Sequence, residues 1–228
     1  MIEQTTGDAL WNGQAHMPTA RSKRLVITGG DGAWLTTDTG ERLLDATASL
    51  WYANVGHGRE RIARAAYDQM CQLETFHTFG RMANEPALRV ADRIVAMAGV
   101  SGARVMLTSG GSDSVDLACK LARRHWQLEG RPSKKMILSR HGAYHGLHAF
   151  GTSITGLPYN REGYGSESLI PETARIATND LAAVRQQVAE IGPDTIAAII
   201  AEPVIGTGGV VGPTEGYLEG LEALARAN

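Results

Sequence analysis

The stretch TSGGSDSVDLACKLARRHW, residues 108–126, sets Ser109-Gly110-Gly111-Ser112 directly before an amphipathic helical pattern. Just upstream, Val105-Met106-Leu107 is a short apolar run that reads as a strand, so the glycines mark a strand-to-helix turn. There the backbone N–H groups of Gly111 and Ser112 fall in the first turn of a helix, where donors lack intrahelical partners and the dipole favours an anion. The Ser112 hydroxyl can cap the helix or bind a phosphate oxygen. Neither the Walker lysine pattern nor G-x-G-x-x-G fits these residues, so the stretch alone reads more simply as a capped helix on a glycine turn.

Working outward, residues 25–45 carry hairpin signals. Leu25-Val26-Ile27 and Ala33-Trp34-Leu35 are short apolar runs, and Asp38-Thr39-Gly40 supplies a turn before Arg42-Leu43-Leu44-Asp45. From Arg59 to Leu73 the spacing of Ile62, Ala66, Met70 and Leu73 predicts a helix. A second helix starts at a cap on Asn84, with Pro86 in its first turn and Leu88, Ala91 and Val95 on its buried face. From 105 onward strands and helices alternate. Strands are predicted at 105–107, 136–138 and 196–201, and helices at 112–128, 180–190 (capped by Asn179 or Asp180) and 215–227. Apolar runs without polar alternation, separated by helices, predict an α/β fold whose sheet is mostly parallel and covered on both faces. Residues 1–60 are expected to form a small-domain segment and 61–228 a partial large domain. A last helix with no strand after it leads us to expect a truncated chain.

Composition narrows the function classes. The formal net charge of −2 gives no electrostatic reason to expect nucleic acid or an anionic membrane as partner. The longest apolar run, Ile196 to Ala201, is far too short to span a bilayer, and the polar N-terminus has no signal-peptide character, so a cytoplasmic location is expected. Cys71 and Cys119 read as reduced, partly buried thiols, and no zinc-like cysteine or histidine spacing occurs. The chain holds 27 glycines in 228 residues, well above the average share of roughly 7%. That excess fits tight turns or loops that approach a ligand.

Two further stretches change the reading of 108–126. Residues 139–146, SRHGAYHG, follow a strand and place Tyr144 among glycines, where its ring can stack on a planar ligand. Residues 201–217, AEPVIGTGGVVGPTEGY, set Glu202 at the end of a buried strand, and a carboxylate there needs a hydrogen-bonded partner or a ligand. Three strand ends thus offer a phosphate-type cradle, an aromatic ring and a carboxylate at the sheet edge where ligands of α/β proteins gather.

These residues resemble the class III pyridoxal-phosphate-dependent aminotransferases of fold type I. GGSDSVDLACKLAR is similar to the family's phosphate-loop helix, RHGAYHG to its YHG segment, and AEPVIGTGGVVGPTEGYL to its EPV loop, in order and spacing. SLWYANVGHGRERIARAAYDQM resembles the omega-amino acid/amine:pyruvate branch. The resemblance implies pyridoxal 5'-phosphate as cofactor. Gly111 and Ser112 would bind its phosphate, Tyr144 would stack on its ring, and Glu202 would lie near its polar edge. Trp51 and Phe79 would line the substrate pocket, with Trp51 alternatively a hydrophobic anchor of the small domain. A small-molecule amine and a keto acid are the implied substrates, and a homodimer the implied assembly. Gly110 departs from the family's usual serine and Asp113 from its glutamate.

The same resemblance implies a Schiff-base lysine and an aspartate at the pyridinium nitrogen, both beyond residue 228. Of the four lysines here, Lys120 lies two turns from Ser112 along its helix, Lys134 and Lys135 precede a strand at the opposite sheet edge, and Lys23 sits in a basic run. None is placed to serve, so this chain alone is expected not to transaminate. Two alternatives stay open: an inactive truncated or split-gene product that binds cofactor weakly or pairs with a complementary half, and an aminomutase or decarboxylase of the same fold.

Overall fold

The computed structural model describes residues 9–164 and 169–228. The chain forms two compact units divided between Leu88 and Arg89.

The first unit opens with a short helix, α1 (Met17–Ser22), followed by β1 (Ile27–Asp31), β2 (Trp34–Thr37) and β3 (Arg42–Leu44). The hairpin signals of 25–45 thus build a three-stranded antiparallel sheet in the order β1-β2-β3. Trp34 stands opposite Leu44, and the Arg42 guanidinium lies 4.9 Å from the Trp34 ring centre, a cation–π contact across the strands. A single turn, α2 (Ala48–Trp51), leads to α3 (Glu60–Gln72). The next helix, α4 (Glu85–Ala98), begins as the sequence predicts: Asn84 Oδ1 accepts the Ala87 N–H at 3.0 Å. Its expected buried face is not buried, since Leu88 is 57% exposed, and Met70 on α3 is 62% exposed. Periodicity reports an apolar face but does not supply the surface that covers it. Cys71 is likewise exposed rather than partly buried.

In the second unit α5 (Gly111–Leu128) precedes β4 (Met136–Arg140). Then follow α6 (Ala149–Ile154), β5 (Thr173–Ile176), α7 (Leu181–Ile191), β6 (Ile196–Ile199) and α8 (Tyr217–Arg226). The three strands form a parallel sheet in the order β5-β4-β6. Successive side chains of the central strand point to opposite faces, and each face carries its own core. Leu138 packs with Ile176, Val184, Val188, Tyr217 and Leu221 beneath α7 and α8. Ile137 packs with Cys119, Phe150 and Ile154 beneath α5 and α6. Helices therefore cover both faces. Burial, and then Asp116, push the Cys119 thiol up to about 11 against the opposing Arg123, so it behaves as an inert core residue.

This winding also fixes where a ligand crevice falls. The chain leaves β4 through α6 on one face to reach β5, then crosses through α7 on the other face to reach β6. The helices after adjacent strands β4 and β6 thus lie on opposite faces, which opens a crevice outside their carboxyl ends. The loops that flank it are 141–148 and 200–216.

Three elements differ from expectation. Residues 105–107 form no strand; Met106 is 64% exposed, and a strand exists only against a hydrogen-bonded neighbour. β5 escapes the sequence reading because Thr173-Ala174-Arg175-Ile176 has little apolar signal, although it pairs with β4 over its whole length. The nearly buried α6, AFGTSI, holds a glycine and two β-branched residues, a poor helical signature overridden by packing. Among the described residues no helix is long and apolar enough to cross a membrane.

Candidate cofactor site

The first hydrogen bond of α5 runs from Ser114 N–H to the Gly110 carbonyl at 3.1 Å, so the N–H groups of Gly111, Ser112 and Asp113 precede the helical ladder. Gly110 is the N-cap and offers no side chain to satisfy them. The Ser112 hydroxyl does not cap the helix either. Its Oγ accepts the Leu147 N–H at 3.1 Å, which leaves the hydroxyl proton free to be donated outward. Three backbone donors, one hydroxyl and the positive end of an 18-residue helix thus lie together at the start of α5. That donor set fits a phosphate.

The loop after β4 is bound against this helix end. Gly146, at φ +97°, lies so close to α5 that a Cβ there would come within 2.6 Å of Ser112 Oγ. Asp116, one turn further along α5, accepts the N–H groups of Phe150 and Gly151 at 3.2 and 3.0 Å and so caps α6. Across the crevice, Glu202 ties the two loops together. Its Oε1 accepts the Tyr144 N–H and its Oε2 the Gly206 N–H, both at 2.9 Å. Both oxygens thus face the protein backbone, where they fix the stem of the Tyr144 side chain. Gly208 closes the same corner, for a Cβ there would fall on the Gly142 carbonyl oxygen.

The structure adds two residues that the sequence did not single out. Arg140, the last residue of β4, is fully buried and donates through Nη2 to the Glu202 carbonyl oxygen, while Nε and Nη1 find no partner among the described residues. Nothing in the sequence marks it, since a polar residue at a strand end usually faces water and only the fold buries this one. His145 is 6% exposed and its Nε2 has no partner among the described residues. Burial lowers its pKa below the ordinary 6.5, with Glu202 opposing and Arg140 reinforcing the shift. The unfolded chain takes up this proton at the ordinary value and the folded chain only at lower pH. Stability from a neutral His145 is therefore present above 6.5 and lost as pH falls below it. Urea titrations across this range are expected to show that slope in the native chain and a flatter one in His145→Gln.

The three lysines of the second unit, Lys120, Lys134 and Lys135, do not lie at these loops. Lys134 is 2% exposed and donates to the carbonyls of Pro193 and Ile196, at the opposite end of the sheet. Lys23, Lys120 and Lys135 are exposed.

Trp51 and Phe79 belong to the first unit, and their side chains are 60% and 85% exposed. Trp51 closes α2, which is a left-handed turn: φ is +46° at Ala48, +51° at Ser49, +60° at Leu50 and +75° at Trp51. The Trp51 N–H still reaches the Thr47 carbonyl at 2.8 Å. Each such non-glycine residue costs roughly 1–2 kcal/mol relative to the right-handed form. The adjacent Asp45 is held far below its ordinary 3.8, first by His57 and then by the Ser49 N–H.

Comparisons with known proteins identify the family. A family profile described as aminotransferase class-III matches residues 17–228. The diaminobutyrate–2-oxoglutarate transaminase of Halomonas elongata is 32% identical over 87% of this chain and 46% of its own length. The putrescine–pyruvate aminotransferase of Pseudomonas aeruginosa is 31% identical over 84% of this chain and 45% of its own. The chain thus spans about half the length of the curated relatives it matches. Among solved structures, an (S)-enantioselective omega-transaminase from Thermomicrobium roseum superimposes with a TM-score of 0.92 at 33% identity, over 97% of this chain and 53% of that one. An amine transaminase from an uncultivated Pseudomonas species, solved with pyridoxal phosphate bound, gives 0.90 at 34%, over 96% and 53%. A thermostable omega transaminase with a tryptophan-to-glycine substitution, engineered for asymmetric synthesis of enantiopure bulky amines, gives 0.91 at 26%, over 96% and 52%. With the family match over residues 17–228 and its fold type I architecture, the chain belongs to the class-III aminotransferases.

Proposed function

We propose that this chain is the cofactor-binding part of a pyridoxal-phosphate-dependent transaminase that moves an amino group from an amine or omega-amino acid to a keto acid such as pyruvate. The observation that carries the reading is the start of α5, where three N–H groups and the Ser112 hydroxyl proton have no helical partner. Gly111 and Ser112 hold the cofactor phosphate, and Tyr144 lies against the ring. Glu202 positions Tyr144 by holding its N–H. Pyridoxal phosphate, when bound, supplies the electron sink that amino transfer requires. Trp51 and Phe79 form the wall that meets the amine. Residues 1–60 serve as the small-domain segment and 61–228 as the larger cofactor domain, and the enzyme works in the cytoplasm as a homodimer. The Schiff-base lysine is supplied from outside these residues.

One observation favours a second arrangement of the same parts. β6 has a ladder partner on the β4 side only among the described residues, so a complementary half can complete the sheet by pairing there.

Equilibrium titrations test the phosphate reading. Pyridoxal phosphate is expected to bind more tightly than pyridoxal. Ser112→Ala should weaken it about tenfold or more, the worth of one hydrogen bond to a charged group, and leave pyridoxal unaffected. Equal affinity for the two compounds sinks the reading. Borohydride treatment should leave no covalent adduct on Lys23, Lys120, Lys134 or Lys135.

A further inference from the structure

We propose that Asp45, together with His57, is a positioning lock that holds α2 in its left-handed turn and thereby sets the direction of the Trp51 indole. The inference rests on the reading of Trp51 as the wall that meets the amine. Runs of non-glycine residues in this backbone region persist only where their surroundings over-determine them, and they gather at ligand clamps and active sites.

Here the surroundings are one carboxylate. Asp45 Oδ1 accepts the Thr47 N–H at 3.2 Å and the Thr47 hydroxyl at 3.1 Å. Oδ2 accepts the Ser49 N–H at 2.9 Å and its hydroxyl at 3.3 Å, and meets His57 Nε2 at 2.8 Å. His57 is itself pinned by the backbone, for its N–H reaches the Gly32 carbonyl at 2.8 Å and its carbonyl accepts the Gly32 N–H at 3.1 Å. A continuous polar chain therefore runs from the β1–β2 turn through His57 and Asp45 to Ser49, two residues before Trp51.

Packing does not explain the turn. Leu50, Trp51 and Tyr52 are 76%, 60% and 82% exposed, and a cavity of about 270 Å³, lined by Asp45, Ala48, Ala53 and His57 among others, adjoins α2. With its last side chains exposed and a cavity beside it, a turn that merely joined β3 to α3 would relax to the right-handed form. The carboxylate is what prevents it, and the left-handed turn projects Trp51 in a direction a right-handed one does not.

The test is nuclear magnetic resonance on the labelled full chain, reading the intraresidue amide–Hα Overhauser cross-peaks of Ser49, Leu50 and Trp51, which are strong only at positive φ. Asp45→Ala is expected to lose them while the β1–β3 resonances persist. Asp45→Asn, which keeps one acceptor oxygen for the Ser49 N–H, should recover most of the signal, and His57→Gln should weaken it. An unchanged signature in Asp45→Ala overturns the proposal. Should Asp45→Ala also lose the β1–β3 resonances, His57→Gln decides: a weakened signature supports the lock and one at full strength overturns it. The reading of Trp51 fails separately. Titration with pyridoxal phosphate and benzylamine that leaves the Trp51 indole N–H unmoved removes Trp51 from the subsite and does not touch the lock.

Discussion

Glu202→Ala is expected to destabilise the second unit by about 2–6 kcal/mol, from about 1–3 kcal/mol for each of two N–H groups stranded without an acceptor. One side chain holds the loop after β4 to the loop after β6: Oε1 takes the Tyr144 N–H and Oε2 the Gly206 N–H. Alanine leaves both donors facing the crevice with nothing to accept them. Glu202→Gln keeps one acceptor oxygen and turns an amide donor toward the other N–H, so it should recover about half the loss. Urea unfolding measures both variants. The same substitutions are expected to weaken pyridoxal as well as pyridoxal phosphate, because what loosens is the stem of Tyr144 and not the phosphate cradle. A Glu202→Ala chain as stable as the native one, with unchanged affinity for both compounds, contradicts the tie between the loops.

Leu138→Ala should cost a similar amount, about 2–5 kcal/mol for a core leucine truncated where its neighbours cannot close in. Leu138 is fully buried on the central strand, between β5 and β6. Its neighbours Ile176, Val184 and Tyr217 come from three different elements. Tyr217 in particular is anchored, since its hydroxyl donates to the Ala177 carbonyl at 2.6 Å. The residual cavity therefore stays open, and the loss should sit near the upper end of the range. Leu138→Met, which conserves volume, should cost less than about 1.5 kcal/mol.

Local chemistry was legible wherever a residue acts on its own backbone. Asn84 and Asp180 cap their helices as their positions predict, the latter accepting the Ala183 N–H at 2.9 Å. The parallel sheet was legible in 136–138 and 196–201 because strands buried on both faces are continuously apolar. What stayed hidden depends on distant partners. β5 is a strand because β4 lies beside it, and 105–107 is none because no described residue pairs with it in a ladder. The left-handed α2 cannot be read from ASLW, since nothing in those four residues favours positive φ; the cause lies in Asp45 and in His57, twelve residues further on.

The candidate site divides in the same way. The glycine turn before a helix at 110–112 was legible as a helix start, and its use as a phosphate cradle was read only with the two later stretches and the family resemblance beside it. The sequence placed a carboxylate at Glu202 but not its task, for its two acceptor bonds reach backbone in the loops at 144 and 206. Arg140 and His145 escaped because polar residues at strand ends usually face water, and only the folded chain buries them. Trp51 and Phe79 came from resemblance alone, since neither position carries a local signal of its own.

Amide chemical-shift mapping of the labelled chain during titration with pyridoxal phosphate tests the central claim most directly. The account predicts that the largest shifts fall on the N–H groups of Gly111, Ser112 and Asp113, with Tyr144 following, and that pyridoxal without its phosphate leaves the first three unmoved. Shifts centred elsewhere, or the same shifts at 111–113 with pyridoxal, contradict a phosphate cradle at the start of α5.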